Sequence, residues 1–204
     1  MANAAVKTVS SDYVLFLDGN TEFIAPQALL TLLTHGLRSD VGVVGSKLLF
    51  SDDTIQHAGM MVGPYGAAAA LGTHMPRSAK GYGKRLICAS NVSAVSGVAM
   101  MVRRSVFNEV NGFDERFRMG YFDVDFCLKV GKAGYQVVYR GDVEFYHHER
   151  LEPSRALHSE QRLRAEQERG YLHYRWPRYF VEGDPYMSAC LNRDVPSYLL
   201  APIR

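Results

Sequence analysis

Residues Tyr13 to Leu17 read Tyr-Val-Leu-Phe-Leu, an unbroken apolar run of β-branched and aromatic side chains that stops at Asp18-Gly19-Asn20. A strand with no polar alternation is expected to be covered on both faces, and the turn residues after it mark its end. Such a strand points to a parallel sheet with helices packed on it. Pro26 opens the next helix, whose Leu29, Leu30, Leu32, Leu33 and Leu37 predict a broad apolar face up to Arg38, and Val41 to Phe50 follows as a second apolar strand. The order is strand, helix, strand.

Further along, the Gly- and Ala-rich stretch from Ser51 to Leu86 predicts short strands and a mobile loop, punctuated by Gly63-Pro64 and Met75-Pro76. A strand over 92–102, a short helix near 105–110, a helix over 122–132 ended by Gly134, and strands at 135–139 and 143–146 come next. Beyond His148 the composition shifts. Ser154 to Tyr174 predicts a solvated helix with a narrow apolar stripe, and the remainder, with Trp176-Pro177 and Asp184-Pro185, an extended arm over the domain. We divide the chain accordingly into a domain over 1–150 and a helix with arm over 151–204.

With 47% apolar residues in a chain of 204, one substantial core is affordable by size, and disorder is not expected. A formal charge of +2 leaves no electrostatic footprint for nucleic acid. Cys88, Cys127 and Cys190 are odd in number and lack metal-finger spacing, which fits a reducing compartment. No apolar run approaches the roughly 20 residues of a membrane span, so the expectation is a cytoplasmic chain, with the inner face of the membrane as the alternative.

Several constellations carry chemistry. Asp18, Asn20 and Glu22 follow a strand's carboxyl end, where open α/β sheets bind ligands; an acidic pair there suits a divalent cation bridging to a diphosphate, and a self-bonded polar turn is the plainer alternative. Asp123 and Asp125 lie two residues apart at a helix start and point about 200° apart, so they cannot both face one substrate. If Phe122, Phe126 and Val130 form the buried stripe, Asp123 flanks it and can face a cleft as a general base with a pKa raised by desolvation. For Asp125, charge complementarity to the helix dipole is the stronger reading. Of His147 and His148, at a strand end, only one can point inward, as a metal ligand or phosphate donor. His57 and His74 are weaker candidates, expected to make local hydrogen bonds. Gly97, inside an apolar strand, marks close approach of a ligand or of another backbone, with a packing role as the equal alternative.

Taken in order, the stretches Asp12-Tyr-Val-Leu-Phe-Leu-Asp-Gly-Asn-Thr-Glu22, Ile55-Gln-His-Ala-Gly59, Asn91-Val-Ser-Ala-Val-Ser-Gly97, Gly112-Phe-Asp-Glu115, Asp123-Val-Asp-Phe-Cys-Leu128, Ala133-Gly-Tyr135 and Tyr146-His-His-Glu149 resemble family 2 glycosyltransferases of the GT-A fold. The bacterial branch that builds O-antigen and capsule is the nearest in pattern, and the arm matches it through Arg175-Trp176 and Asp184-Pro185-Tyr186. The resemblance implies a Rossmann-like mixed sheet flanked by helices. It also implies inverting transfer from a nucleotide-diphosphate sugar to a saccharide or lipid-linked saccharide. Asp123 takes the base position; Asp18, Asn20 and His147 take the metal-holding positions; Asp18, Gly97, Asp125 and His148 are candidates for substrate contact. Asn20 replaces a carboxylate, which weakens the expected Mg²⁺ or Mn²⁺ site. The family's nucleotide-binding strands precede the stretch matched here, so the expectation is a truncated GT-A fold with an open strand edge, covered by a second copy or a partner chain. Two other readings stand beside it: an inactive carbohydrate-binding or interaction module, and a His/Asp metallohydrolase resting on His147-His148-Glu149.

Overall fold

The computed structural model describes residues 2–148, 159–188 and 190. After helix α1 (Ala2–Lys7), which the sequence reading lacks, the expected strand appears as β1 (Tyr13–Leu17), followed by β2 (Thr21–Phe23), helix α2 (Ala28–Gly36) and the long strand β3 (Val41–Leu49). Short strands β4 (Ile55–His57), β5 (Met60–Val62), β6 (Ala68–Ala70) and β7 (Ser90–Asn91) lead to β8 (Ala99–Arg103). Helices α3 (Arg104–Glu109) and α4 (Phe122–Lys132), strand β9 (Gln136–His147), and helices α5 (Ser159–Arg175) and α6 (Pro177–Val181) complete the order.

The main sheet runs β1-β8-β3-β9-β2, with β4 added to β3 and β7 to β9; β5 and β6 form a separate pair. Among the described residues only β3 and β9 pair in parallel, and every other ladder of this sheet is antiparallel. The expectation of a parallel sheet from β1 is therefore corrected. β1 lies at the end of the sheet with β8 as its ladder partner and is half-buried, whereas the nine residues of β3, in the middle, are all buried. The apolar run still reports two covered faces: Val14 and Phe16 pack on the cluster containing α3 and α4 residues, Tyr13 and Leu15 on the one containing α2 residues.

Three other expectations change. The single strand over 92–102 is broken: Val92, Ala94 and Val95 are buried in an irregular segment that crosses the sheet between β7 and β8. Close approach at Gly45 permits this, since a Cβ there would lie 2.4 Å from Val95 Cβ. Conversely, the two strands at 135–139 and 143–146 are one strand, β9, whose ladder with β3 shifts register between Ser46–Arg140 and Lys47–Glu144. A local bulge of this kind looks like a break in sequence but leaves the strand continuous. Finally, α2 buries only Ala28, Leu32 and Gly36, so Leu29, Leu30 and Leu37 of the expected apolar face are exposed.

The C-terminal part forms a strap rather than an extended arm as far as residue 188. α5 is mostly exposed but buries Glu168 and Leu172, and α6 follows with Pro177 in its first turn. Asp184 then anchors the strap, accepting from Val62 N at 2.8 Å, Ser93 Oγ at 2.8 Å and Tyr186 N at 2.9 Å. Among the described residues no helix is long and apolar enough to cross a membrane. Glu149 and the expected start of the helix at Ser154 lie outside the described residues.

Candidate active site

Pairing at the strand ends brings the sequence-distant candidates together. The turn after β1 leads directly into β2, which pairs antiparallel with the end of β9 and sets Thr21 opposite His147. That register places Asp18 Oδ1 3.4 Å from His147 Nε2. Alternation along β9 separates the two histidines as expected. His147 is buried; His148 is exposed and contacts Ser51 Oγ at 2.9 Å and Glu22 Oε2 at 2.8 Å. Asn20 closes the turn by donating its backbone N–H to Asp18 Oδ1 at 2.8 Å, while its carbonyl accepts from His148 N at 2.9 Å.

β4 supplies the support behind His147, because Gln56 Oε1 lies 2.9 Å from His147 Nδ1. An amide oxygen only accepts, so the ring proton sits on Nδ1 and a neutral ring keeps a lone pair on Nε2. That lone pair faces the Asp18 carboxylate, an acceptor facing an acceptor. A shared cation would relieve this.

On the other side of the 96–98 segment, α4 begins after Tyr121, which holds a left-handed conformation at φ 61°. Asp123 in the first turn accepts from Gly97 N at 2.8 Å through Oδ2 and from Val124 N at 2.9 Å through Oδ1. It is 8% exposed. Burial raises its pKa above the usual carboxylate value and the backbone N–H groups oppose that rise, so the group is basic for an aspartate yet held in place. At Gly97 a Cβ would sit 2.8 Å from the Phe122 ring, a side-chain contact that fits a packing role rather than approach of another backbone. One residue on, the Val98 carbonyl accepts from Asp18 N at 2.8 Å. The 96–98 segment therefore touches both Asp18 and Asp123.

Asp125 takes no part in this cleft. It is fully buried on the opposite side of α4, where its Oδ1 accepts from Trp176 Nε1 at 2.9 Å and lies 2.8 Å from Arg175 Nε. The expectation that Asp125 contacts substrate is corrected, since the strap occupies its accessible side. The same strap fixes the loop before α4. Glu168 of α5 accepts from the backbone N–H groups of Arg118, Met119 and Gly120 at 2.8–3.1 Å. Arg116 beside Asp114, with Tyr171, holds that carboxyl down to about 2.

With the geometry in place, comparison with known proteins decides the family. The model for "Glycosyltransferase like family 2" matches residues 1–167. The chain belongs to this glycosyltransferase family. It is 35% identical over 203 residues to the uncharacterized protein y4gI of Sinorhizobium fredii, covering 99% of this chain and 22% of that protein. To the O-antigen biosynthesis protein RfbC of Myxococcus xanthus it is 33% identical over 192 residues, covering 93% of this chain and 15% of that protein. The chain thus spans about a fifth of the length of these curated relatives. Among solved structures, GalNAc-T7 with UDP, GalNAc and Mn²⁺ aligns at a TM-score of 0.57 and 14% identity, covering 74% of this chain and 30% of that chain. That likeness shows the GT-A fold.

The candidate site also contains residues to which the sequence reading gave no role or only a local one. Gln56 lay inside a recognised stretch without a role, and its amide now orients His147. His57, one residue on, is buried with Nε2 3.1 Å from Ser96 N. A lone Glu168 in a polar helix and a Trp before a Pro give no chemical signal by themselves. His74 stands apart, stacked on Phe50 with ring centroids 5.3 Å apart.

Proposed function

We propose that this chain carries the acceptor-side machinery of an inverting glycosyltransferase that uses a nucleotide-diphosphate sugar in building a surface polysaccharide or glycolipid. In this reading the acceptor oxygen attacks the anomeric carbon while the bond from that carbon to the diphosphate breaks. Asp123 takes the acceptor's proton. The observation that carries this reading is the buried carboxyl of Asp123, its basicity raised by desolvation and its direction fixed by Gly97 N–H.

Asp18 and His147 fit a divalent cation because their two acceptor atoms face each other 3.4 Å apart. Such a cation would offset charge on the leaving diphosphate. Among the described residues no cluster of three His, Cys, Asp or Glu side chains surrounds that point, so phosphate oxygens and Asn20 would complete the shell. Asp18 and His147 also orient the diphosphate, and Gly97 and His148 stand beside the cleft. The chain divides into a domain over 1–150 and a C-terminal part over 151–204, whose described strap, residues 159–188, braces the domain through Glu168, Arg175 and Trp176.

The test is transfer from a panel of UDP-, GDP- and dTDP-sugars to saccharide acceptors, with the anomeric configuration of the product read by NMR. Inversion in the wild type and its loss in Asp123→Asn are expected; retention of configuration, or full turnover in Asp123→Asn, would sink the reading. A second reading, a saccharide-binding module without turnover, is favoured by the amide of Asn20 standing where a carboxylate is expected. It requires saccharide binding with no transfer from any donor of the panel.

A further inference from the structure

The stretch Ile55-Gln-His-Ala-Gly59 places two polar side chains beneath the site from a strand of three residues. Gln56 reaches His147, and His57 reaches the 96–98 segment. His57 is 3% exposed and lies under the turn that carries Gly97. Its Nε2 is 3.1 Å from Ser96 N, and the next backbone N–H along, that of Gly97, donates to Asp123 Oδ2 at 2.8 Å. The segment has no ladder of its own at these positions, being the break between β7 and β8, so side chains must satisfy its buried N–H groups. Ser96 adds one such bond itself, accepting from Val98 N at 3.2 Å.

A neutral imidazole offers a single acceptor nitrogen. Two backbone N–H groups approach this ring, Ser96 N at Nε2 and Gly59 N at Nδ1, the latter at 3.3 Å. With the shorter contact at Nε2, acceptance there leaves the ring proton on Nδ1. Burial keeps the ring neutral, with its pKa lowered to about 4, so the acceptor is present throughout the neutral range.

We propose that His57 is a positioning residue for the reaction: by accepting from Ser96 N–H it fixes the backbone that directs Gly97 N–H onto the Asp123 carboxylate. The inference rests on the base role proposed for Asp123. It makes His57 act on the chemical step through one backbone turn, without touching donor or acceptor. A buried histidine that served packing alone would tolerate an apolar ring of similar volume.

The experiment compares His57→Phe, which keeps an aromatic ring but removes the acceptor, with His57→Gln, whose amide oxygen restores one. Amide hydrogen exchange at Ser96 and Gly97 is read by NMR alongside kcat and donor KM. In His57→Phe, exchange at both amides should quicken at least about tenfold, and kcat should fall by about 10–100-fold with KM within about twofold, a loss in keeping with a displaced catalytic group. His57→Gln should recover most of both. Wild-type exchange and kcat in His57→Phe would overturn the proposal, as would His57→Gln failing as badly as His57→Phe, or ¹⁵N shifts placing the ring proton on Nε2. Turnover surviving in Asp123→Asn removes the base reading instead, and the exchange data then still decide whether His57 holds the turn.

Discussion

Asp123 and Asp125 occupy one turn of the same helix, yet the cleft face and the strap face of α4 treat their carboxyls differently. On the cleft face Asp123 rests on two backbone N–H groups, and burial raises its pKa. On the strap face Asp125 meets an indole N–H, with the Arg175 guanidinium 2.8 Å away. Backbone donors leave a carboxylate spare lone pairs and no counter-charge, which suits a group that must accept a proton. A cation and an indole, both at Oδ1, supply counter-charge and turn the same side chain into a tie between helix and strap, its Oδ2 staying buried without a hydrogen-bond partner among the described residues. The residue type is shared; the packing on each face decides its work.

The largest effect that can break this comparison is on turnover. Asp123→Asn should lower kcat by about 10²–10⁴-fold, the usual range for loss of a general base, with donor binding by calorimetry little changed. Asp125→Asn should leave kcat per folded molecule near wild type. If both variants lose turnover equally while remaining folded, the two faces are not distinct.

Next comes acid stability, where the cleft side carries a signature through His57. The unfolded imidazole binds its proton near 6.5 and the folded one near 4, so the unfolded state holds more protons between those values. Stability from this residue is complete above pH 6.5 and declines by about 3 kcal/mol as pH falls towards 4. Asp123 and Asp184 act with opposite sign: their folded pKa values are raised, so they add stability as pH falls and lose it as pH rises through the folded value. Urea unfolding across pH 4–7 should therefore be compared between wild type and His57→Gln. The acid-side decline should be shallower in the variant, and an unchanged slope would remove His57 from the account.

On the strap face the expected effect is smaller and purely structural. Trp176→Phe removes the indole donor from a fully buried carboxylate while keeping most of the ring. A hydrogen bond to a charged group is worth about 1.5–3 kcal/mol, and the urea midpoint should fall to match with donor KM unchanged. A shifted KM without loss of stability would place the strap in the cleft.

Much of this arrangement was legible in the residues, and the parts that were not share a cause. Asp18, Asp123 and His147 stood out as candidates because their chemistry is unusual at strand and helix ends; alternation allowed only one inward histidine, the family resemblance favoured His147, and His147 is the buried one. The apolar run of β1 announced two covered faces but not its antiparallel partner, since periodicity within a strand says nothing about its neighbour's direction. The break at 92–98 was invisible for a related reason: Val92, Ala94 and Val95 are as buried as strand residues, and only the contact between Gly45 and Val95 shows why they leave the ladder. His57, Gln56 and Glu168 were unreadable as supports because each acts on a residue about 40 to 90 positions away. Their types are ordinary; their partners exist only once the chain has folded.

Gln56 offers the finest test of the cleft face. Its Oε1 holds His147 in the tautomer that keeps Nε2 directed at Asp18, while its own buried Nε2 has no hydrogen-bond partner among the described residues. Gln56→Leu therefore removes one useful bond and one unsatisfied donor at once. The second loss offsets the first in stability, since an unpaired buried donor is itself costly. Folding should stay within about 1 kcal/mol of wild type. Cation affinity has no such compensation: an imidazole without its orienting partner loses about tenfold or more in metal binding. Calorimetric titration with Mn²⁺ in the presence of nucleotide diphosphate should show that drop in Gln56→Leu and none in Trp176→Phe. Equal affinities in all three proteins would mean that His147 is oriented by the β2–β9 ladder alone, and the support from β4 would then extend only to the Asp123 side.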